Sequence, residues 1–215
     1  MSYINGMSLG SVWHIATDVQ REKLIKDISM SLKTINTLDP AVLDSPHATL
    51  SERIENKLTD FAEQLYSNKT ISAQTVDKIR QKATAAHTYF DDTFLHPVYY
   101  DIHFDNFIVN DIYALQAVIN LENVELAALD YPLFVLQKMT DEPHKYLSEH
   151  DEQFADKKDY LKLIPWYKKY YPEMFGYENL TKRLEYYQLL DTLNLILDWP
   201  KTEELHKNLA ELVKT

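Results

Sequence analysis

Between residue 97 and about residue 120 the spacing of apolar residues departs from that of the rest of the chain, and this constrains the fold most. On both sides apolar residues recur every three to four positions, the period of an amphipathic helix. Within the segment they form short β-rich pieces: Val98-Tyr99-Tyr100, Phe107-Ile108-Val109 and Leu115-Gln116-Ala117-Val118-Ile119. Asn110-Asp111 opens the turn between the last two, as in a hairpin. The expected fold is mainly α with a small β hairpin, an α+β arrangement. Polar residues break the β-rich block at Asp101–Asn106 and after Ile119, so acidic and amide groups gather at strand ends.

The helical parts carry their own boundary signals. Thr17 with Gln20 and Thr49 with Glu52 read as capping boxes, in which a hydroxyl and a side chain three residues on satisfy each other's free backbone N–H groups. Leu24, Ile25, Ile28, Leu32 and Ile35 follow the first box, up to Asp39-Pro40; Leu50, Ile54, Leu58, Phe61 and Leu65 follow the second. Ser72 caps a third helix with Val76, Ile79 and Ala83 inward, running to about Tyr89. Asp159–Tyr171 reads as helical with Pro165 starting, kinking or breaking it. Asn179–Trp199 carries Leu180, Leu184, Tyr187, Leu190 and Ile196, and Pro200 suits the first turn of a last helix with Leu205, Leu209 and Leu212.

Composition excludes several function classes. The 215 residues contain no cysteine and three glycines, Gly6, Gly10 and Gly176. There is therefore no disulfide framework, zinc knuckle or cysteine nucleophile. Neither G-x-x-x-x-G-K-[ST] nor G-x-G-x-x-G can be written. The formal net charge of −11 disfavours nucleic-acid backbones, and would draw in a cationic small molecule as well as keep the chain soluble. No membrane span or signal peptide is legible, which implies an intracellular, cytoplasmic location.

Three readings of Asp101-Ile-His-Phe-Asp-Asn106 stay open on spacing alone. Asp101 and Asn106 suit a phosphoryl-transfer loop, the Asp taking a hydroxyl proton and the Asn oxygen meeting a nucleotide-bound metal. Asp101, His103 and Asp105 would instead form a hard metal site if they alternate on a strand. Or the groups cap a turn. The polar segment Asn120-Leu-Glu122-Asn123 would face this loop if the strands pair.

The run Tyr99-Tyr-Asp101-Ile-His103-Phe-Asp-Asn106-Phe-Ile-Val109 resembles the catalytic loop of the aminoglycoside/choline phosphotransferase family, H-G-D-x-x-x-x-N followed by an apolar strand. Val118-Ile-Asn120-Leu-Glu122-Asn123 resembles the family's metal-binding I-D-[WFL]-[ED] segment, Asp130-Tyr-Pro-Leu the segment leading to the next helix, and Tyr3-Ile-Asn-Gly6-Met-Ser-Leu9 its hinge phrase. The resemblance implies the C-terminal lobe of a protein kinase-like fold over 1–215, with a hinge-like segment at 1–12, the catalytic and metal loops at 97–123 and an acceptor-side helical subdomain at 126–215. It implies transfer of the ATP γ-phosphate to a hydroxyl of a cationic or sugar-like acceptor. Asp101 would be the catalytic residue; Asn106, Asn120 and Glu122 would face Mg²⁺; backbone groups of Met1, Ser2, Tyr3 and Ile4 would face adenine. Two positions depart from the pattern: Tyr99-Tyr100 stands for His-Gly, and Asn120 for the metal-binding Asp. Because the hinge phrase opens the sequence, the N-terminal lobe is expected to be missing, with self-association through the exposed upper face. The alternative is a non-catalytic, pseudokinase-like binding module.

Among other residues, Tyr160, Tyr167, Tyr170, Tyr171, Tyr177, Tyr186 and Tyr187 with Trp166 and Trp199 read as core rather than as a cage for a quaternary ammonium ion. Glu149-His-Asp151-Glu152 reads as a solvated loop rather than an acceptor contact. His14, His47, His87, His96, His144 and His206 show no ligand spacing.

Overall fold

The computed structural model describes residues 4–43, 48–91 and 93–214; Met1, Ser2, Tyr3 and His47 lie outside them. In chain order the helices are α1 (Leu9–Trp13), α2 (Asp18–Asn36), α3 (Leu50–Ser67), α4 (Ala73–Ala85), α5 (His87–Phe90), α6 (Leu133–Asp141), α7 (Leu163–Tyr170), α8 (Leu180–Asp198) and α9 (Glu203–Leu212). The strands are β1 (Met7–Ser8), β2 (His96–Tyr99), β3 (Phe107–Val109), β4 (Leu115–Val118) and β5 (Val124–Ala127). The chain divides into two compact units, Met1–Ser45 with His96–Gly176, and Pro46–Leu95 with Tyr177–Thr215.

Both capping boxes form, at Thr17/Gln20 and Thr49/Glu52, and Ser72 caps α4. The third helix is divided at Ala86, so α4 ends at Ala85 and α5 is a separate turn. One helix boundary and one proline expectation are corrected. The helix expected from Asp159 starts at Leu163, which puts Pro165 in its first turn, where a missing N–H costs no helical bond. Pro200 precedes α9 altogether, because Thr202 occupies the N-cap.

The single expected hairpin is corrected to two small antiparallel sheets. β3 and β4 form the hairpin, and Asn110 Oδ1 accepts from the Ile112 and Ala114 N–H groups to turn the chain between them. β1 adds to its other edge, with Met7 opposite Val109. β2 does not join this sheet. It pairs with β5, His96 opposite Ala127 and Tyr99 opposite Val124. The two-residue β1 offers too short a run for periodicity to reveal, and β5 lies beyond the β-rich block that ends near residue 120.

In the first unit, α2 turns Leu24, Ile25, Ile28 and Leu32 into the core against Leu163, Trp166 and Tyr167 of α7. Arg21 is buried among them. Its Nε donates to the Trp13 carbonyl (3.0 Å), its Nη1 lies 3.0 Å from Asp159 Oδ1, and its guanidinium covers the Trp13 ring. Asn36, the last residue of α2, donates from Nδ2 to the Pro97 carbonyl (2.6 Å) and accepts from the Tyr171 hydroxyl, holding the start of β2 in place. In the second unit, Ile54, Leu58 and Leu65 of α3, Val76 and Ile79 of α4 and Leu189, Leu193 and Ile196 of α8 form the core. Arg183 is buried there between the rings of Phe90 and Tyr177, its Nη1 donating to the Tyr89 carbonyl (2.6 Å).

Candidate active site

Two polar loops meet in the first unit because of how the strands pair. Residues 100–106 connect β2 to β3, and residues 119–123 connect β4 to β5. Since β3 pairs with β4 and β2 with β5, both ends of one loop are tied to both ends of the other. Across the gap the Tyr100 N–H donates to the Asn123 carbonyl (3.4 Å) and the Ile119 N–H to the Asn106 carbonyl (2.9 Å).

Alternating burial aims the first loop. Ile102 and Phe104 are fully buried, Phe104 lying against Trp13 and Tyr160 at ring-centroid distances of 4.4 and 5.8 Å. Asp101 and His103 consequently point away from the core, with Asp101 Oδ1 3.6 Å from His103 Nε2. The His103 ring also meets the edge of Tyr146 at 5.1 Å. The alternation stops at a 3-10 turn, Phe104–Asn106, which sends Asp105 elsewhere. Its Oδ1 accepts from the Ser8 hydroxyl (2.9 Å), and it sits so close to Gly10 that a Cβ there would collide with it. Asp101, His103 and Asp105 therefore do not converge. Among the described residues no group of three acidic or histidine side chains is placed to hold a metal, which corrects the reading of these three as a metal site.

The amides carry the geometry. Asn123 Nδ2 donates to Asp101 Oδ2 (2.8 Å), fixing one carboxylate oxygen and leaving the other on the His103 side. Asn106 is buried, and its Nδ2 donates to the Asp101 backbone carbonyl (2.9 Å). Its Oδ1 accepts from Asn120 Nδ2 (2.7 Å). Asn120 is exposed with a left-handed backbone (φ 56°), a conformation that asparagine tolerates better than most residues. Glu122 is exposed on the 3-10 turn that follows.

The structure thus brings Asp101, Asn106 and Asn120 together and leaves Glu122 at the rim. Of the residues expected to face adenine, Ile4 is exposed and the other three lie outside the described residues. Two contacts supply partners that spacing alone left open. Asn123, the last residue of the polar segment expected to face this loop, is the partner of Asp101. Tyr99 is buried and its hydroxyl donates to the Ile119 carbonyl (2.9 Å), so the aromatic in place of the expected His braces one loop against the other. Burial pushes the Tyr99 phenol well above its usual range, and the nearby Asp101 carboxylate adds to this.

The donor set does not fit a resident magnesium ion. Mg²⁺ favours carboxylates, whereas Asn106 and Asn120 supply neutral amides, the Asn106 oxygen already accepts an N–H, and the one carboxylate of the three, Glu122, is exposed on the following turn.

Most of the other aromatic candidates are packed as expected, and the core reading of Trp199 is corrected. Tyr160, Trp166, Tyr167, Tyr171, Tyr186 and Tyr187 are buried, while Trp199 is exposed. Asp151 is buried and accepts from the Ser148 hydroxyl (2.9 Å), correcting the reading of its run as wholly solvated. A cavity of about 440 Å³ bordered by His87, Asp91, Phe94 and Arg183 belongs to the second unit and includes none of these loop residues.

The fold is shared with solved aminoglycoside phosphotransferases. The gentamicin complex of APH(2″)-IIa superposes with a TM-score of 0.65 at 15% identity, covering 99% of this chain and 69% of that one. The streptomycin-ATP ternary complex of APH(2″)-IIa gives 0.62 at 14% identity, covering 99% and 69%. The aminoglycoside-3′-phosphotransferase of type VIII gives 0.54 at 15% identity, covering 89% and 67%. No family model and no curated protein matches the sequence.

Proposed function

We propose that this protein transfers the γ-phosphate of ATP to a hydroxyl group of a small molecule, with Asp101 as the catalytic residue. The observation that carries the reading is the Asp101 carboxylate. It is held through one oxygen by Asn123, stands in the loop two residues past β2, and is backed by a buried Asn106 five residues on. The acceptor oxygen attacks the γ-phosphorus, the bond to the β-phosphate oxygen breaks, and ADP leaves. The acceptor proton passes to the carboxylate oxygen that Asn123 leaves open. Orienting the hydroxyl and receiving its proton are the tasks this geometry suits. Magnesium, where it accompanies ATP, neutralises phosphate charge; no residue of this chain is assigned to hold it.

The net charge of −11 favours a cationic acceptor, and neighbours in fold are named as complexes with gentamicin and with streptomycin. The described glycines do not wrap a phosphate: Gly6 abuts the Val109 carbonyl and Gly10 abuts Asp105. We therefore propose that this chain is the helical, acceptor-side lobe of a two-lobed enzyme working in the cytoplasm. The exposed apolar Ile4, Met7 and Ile112 around β1 and the hairpin support self-association when that lobe stands alone, which light scattering would read.

The test is phosphate transfer from labelled ATP to a panel of hydroxylated amines, using the protein and its Asp101→Asn variant. The proposal expects transfer that falls by roughly 10²–10⁴-fold in the variant with unchanged circular dichroism. Transfer that survives D101N removes Asp101 from the chemistry. ATP binding with no transfer to any hydroxyl would favour the non-catalytic binding module.

A further inference from the structure

The orientation of both amides in the Asn106–Asn120 pair follows from the acceptor at one end of the chain of bonds. A backbone carbonyl only accepts, so at Asp101 the carbonyl must meet the Asn106 NH₂ group. That leaves Asn106 Oδ1 facing Asn120, which must present its own NH₂ at 2.7 Å. Asn106 cannot turn round to relieve the contact, because it is buried and a flip would set its Oδ1 against the Asp101 carbonyl oxygen. Position 120 is therefore required to be a donor. An aspartate there, of the same shape and equally able to hold the left-handed backbone, would set a charged oxygen against the Asn106 oxygen at hydrogen-bond distance. Two facing oxygens repel unless a cation lies between them.

We infer that the Asn120 amide performs inside this protein the bridging task of a divalent cation, so that the two site loops are closed without metal. Asn120 is a positioning residue: it holds Asn106, which in turn holds the Asp101 backbone. The inference does not depend on phosphate transfer, and its test measures none.

The test follows thermal unfolding of the whole chain in EDTA and in Mg²⁺, without nucleotide, alongside calorimetric titration with Mg²⁺ alone. The wild-type midpoint should be the same in both solutions, with no binding heat. Asn120→Ala should lower the midpoint by about 2–4 °C, the shift for one lost hydrogen bond in a chain of this length, equally with and without Mg²⁺. Asn120→Asp should fall further in EDTA and recover in Mg²⁺. Wild-type protein that gains stability or heat from Mg²⁺ overturns the inference, as does N120A with an unchanged midpoint or N120D that is indifferent to the ion. If N120D fails to fold in either solution, the wild-type titration and N120A decide the matter.

Discussion

Asn123 Nδ2 donates to Asp101 Oδ2 at 2.8 Å across the gap between two loops, joining residues 22 apart in sequence. A hydrogen bond to a charged group contributes about 1.5–3 kcal/mol, and here it selects which carboxylate oxygen remains open. Asn123→Ala should therefore lower kcat by about tenfold or more while leaving KM nearly unchanged, in steady-state phosphotransfer kinetics. A raised KM with an intact kcat would assign Asn123 to acceptor binding instead.

Arg21 and Asp159 form an ion pair at 3.0 Å in which both side chains are largely removed from water. Replacing one partner leaves the other charge buried, at a cost of about 3–5 kcal/mol. Arg21→Met should lower unfolding stability in urea by that amount, and it also forfeits the bond to the Trp13 carbonyl. The double variant Arg21→Met/Asp159→Leu should recover part of the loss. No recovery would locate the effect in the Trp13 contact.

His87 lies between two carboxylates, with Nε2 2.9 Å from Glu55 and Nδ1 2.7 Å from Asp91. The hydrogen bond to Glu55, followed by that to Asp91, raises the His87 pKa above its ordinary 6.5. This contribution to stability is complete below about pH 6.5 and is lost as pH rises through the raised folded value. The Ser51 hydroxyl, then His87, lowers the Asp91 pKa from its ordinary 3.8, so its contribution is present above that value and lost as pH falls through the depressed one. Wild-type protein should accordingly lose more stability than His87→Gln between about pH 6 and pH 8, a span that brackets the ordinary histidine range, in parallel denaturant titrations. Parallel curves for the two proteins would show that the clamp does not form.

Much of the helical scaffold is legible residue by residue. The two capping boxes and the Ser72 cap are local signals, complete within four residues, and their hydrogen bonds form as read. The apolar faces of α2 and α3 are likewise set by spacing alone. Pro200 shows the limit of such reading, since proline suits a first turn but α9 begins only after Thr202, which stands at the N-cap position. β1 escapes notice because two residues carry too little pattern, and β5 because it lies past the polar segment that closes the β-rich block.

The site divides in the same way. The sequence by itself determined that Asp101 and Asn106 share one loop, that Asn120 stands after the next hairpin strand, and that no glycine-rich phosphate loop exists. Only the tertiary structure decided their partners. Pairing of β2 with β5 brought Asn123 to Asp101, a 3-10 turn sent Asp105 to Ser8, and burial of Asn106 obliged Asn120 to donate. The physical reason is one of range. Caps and apolar periods are settled among neighbours in the chain, whereas a hydrogen-bond donor acquires its role from whichever acceptor the strand pairing sets before it.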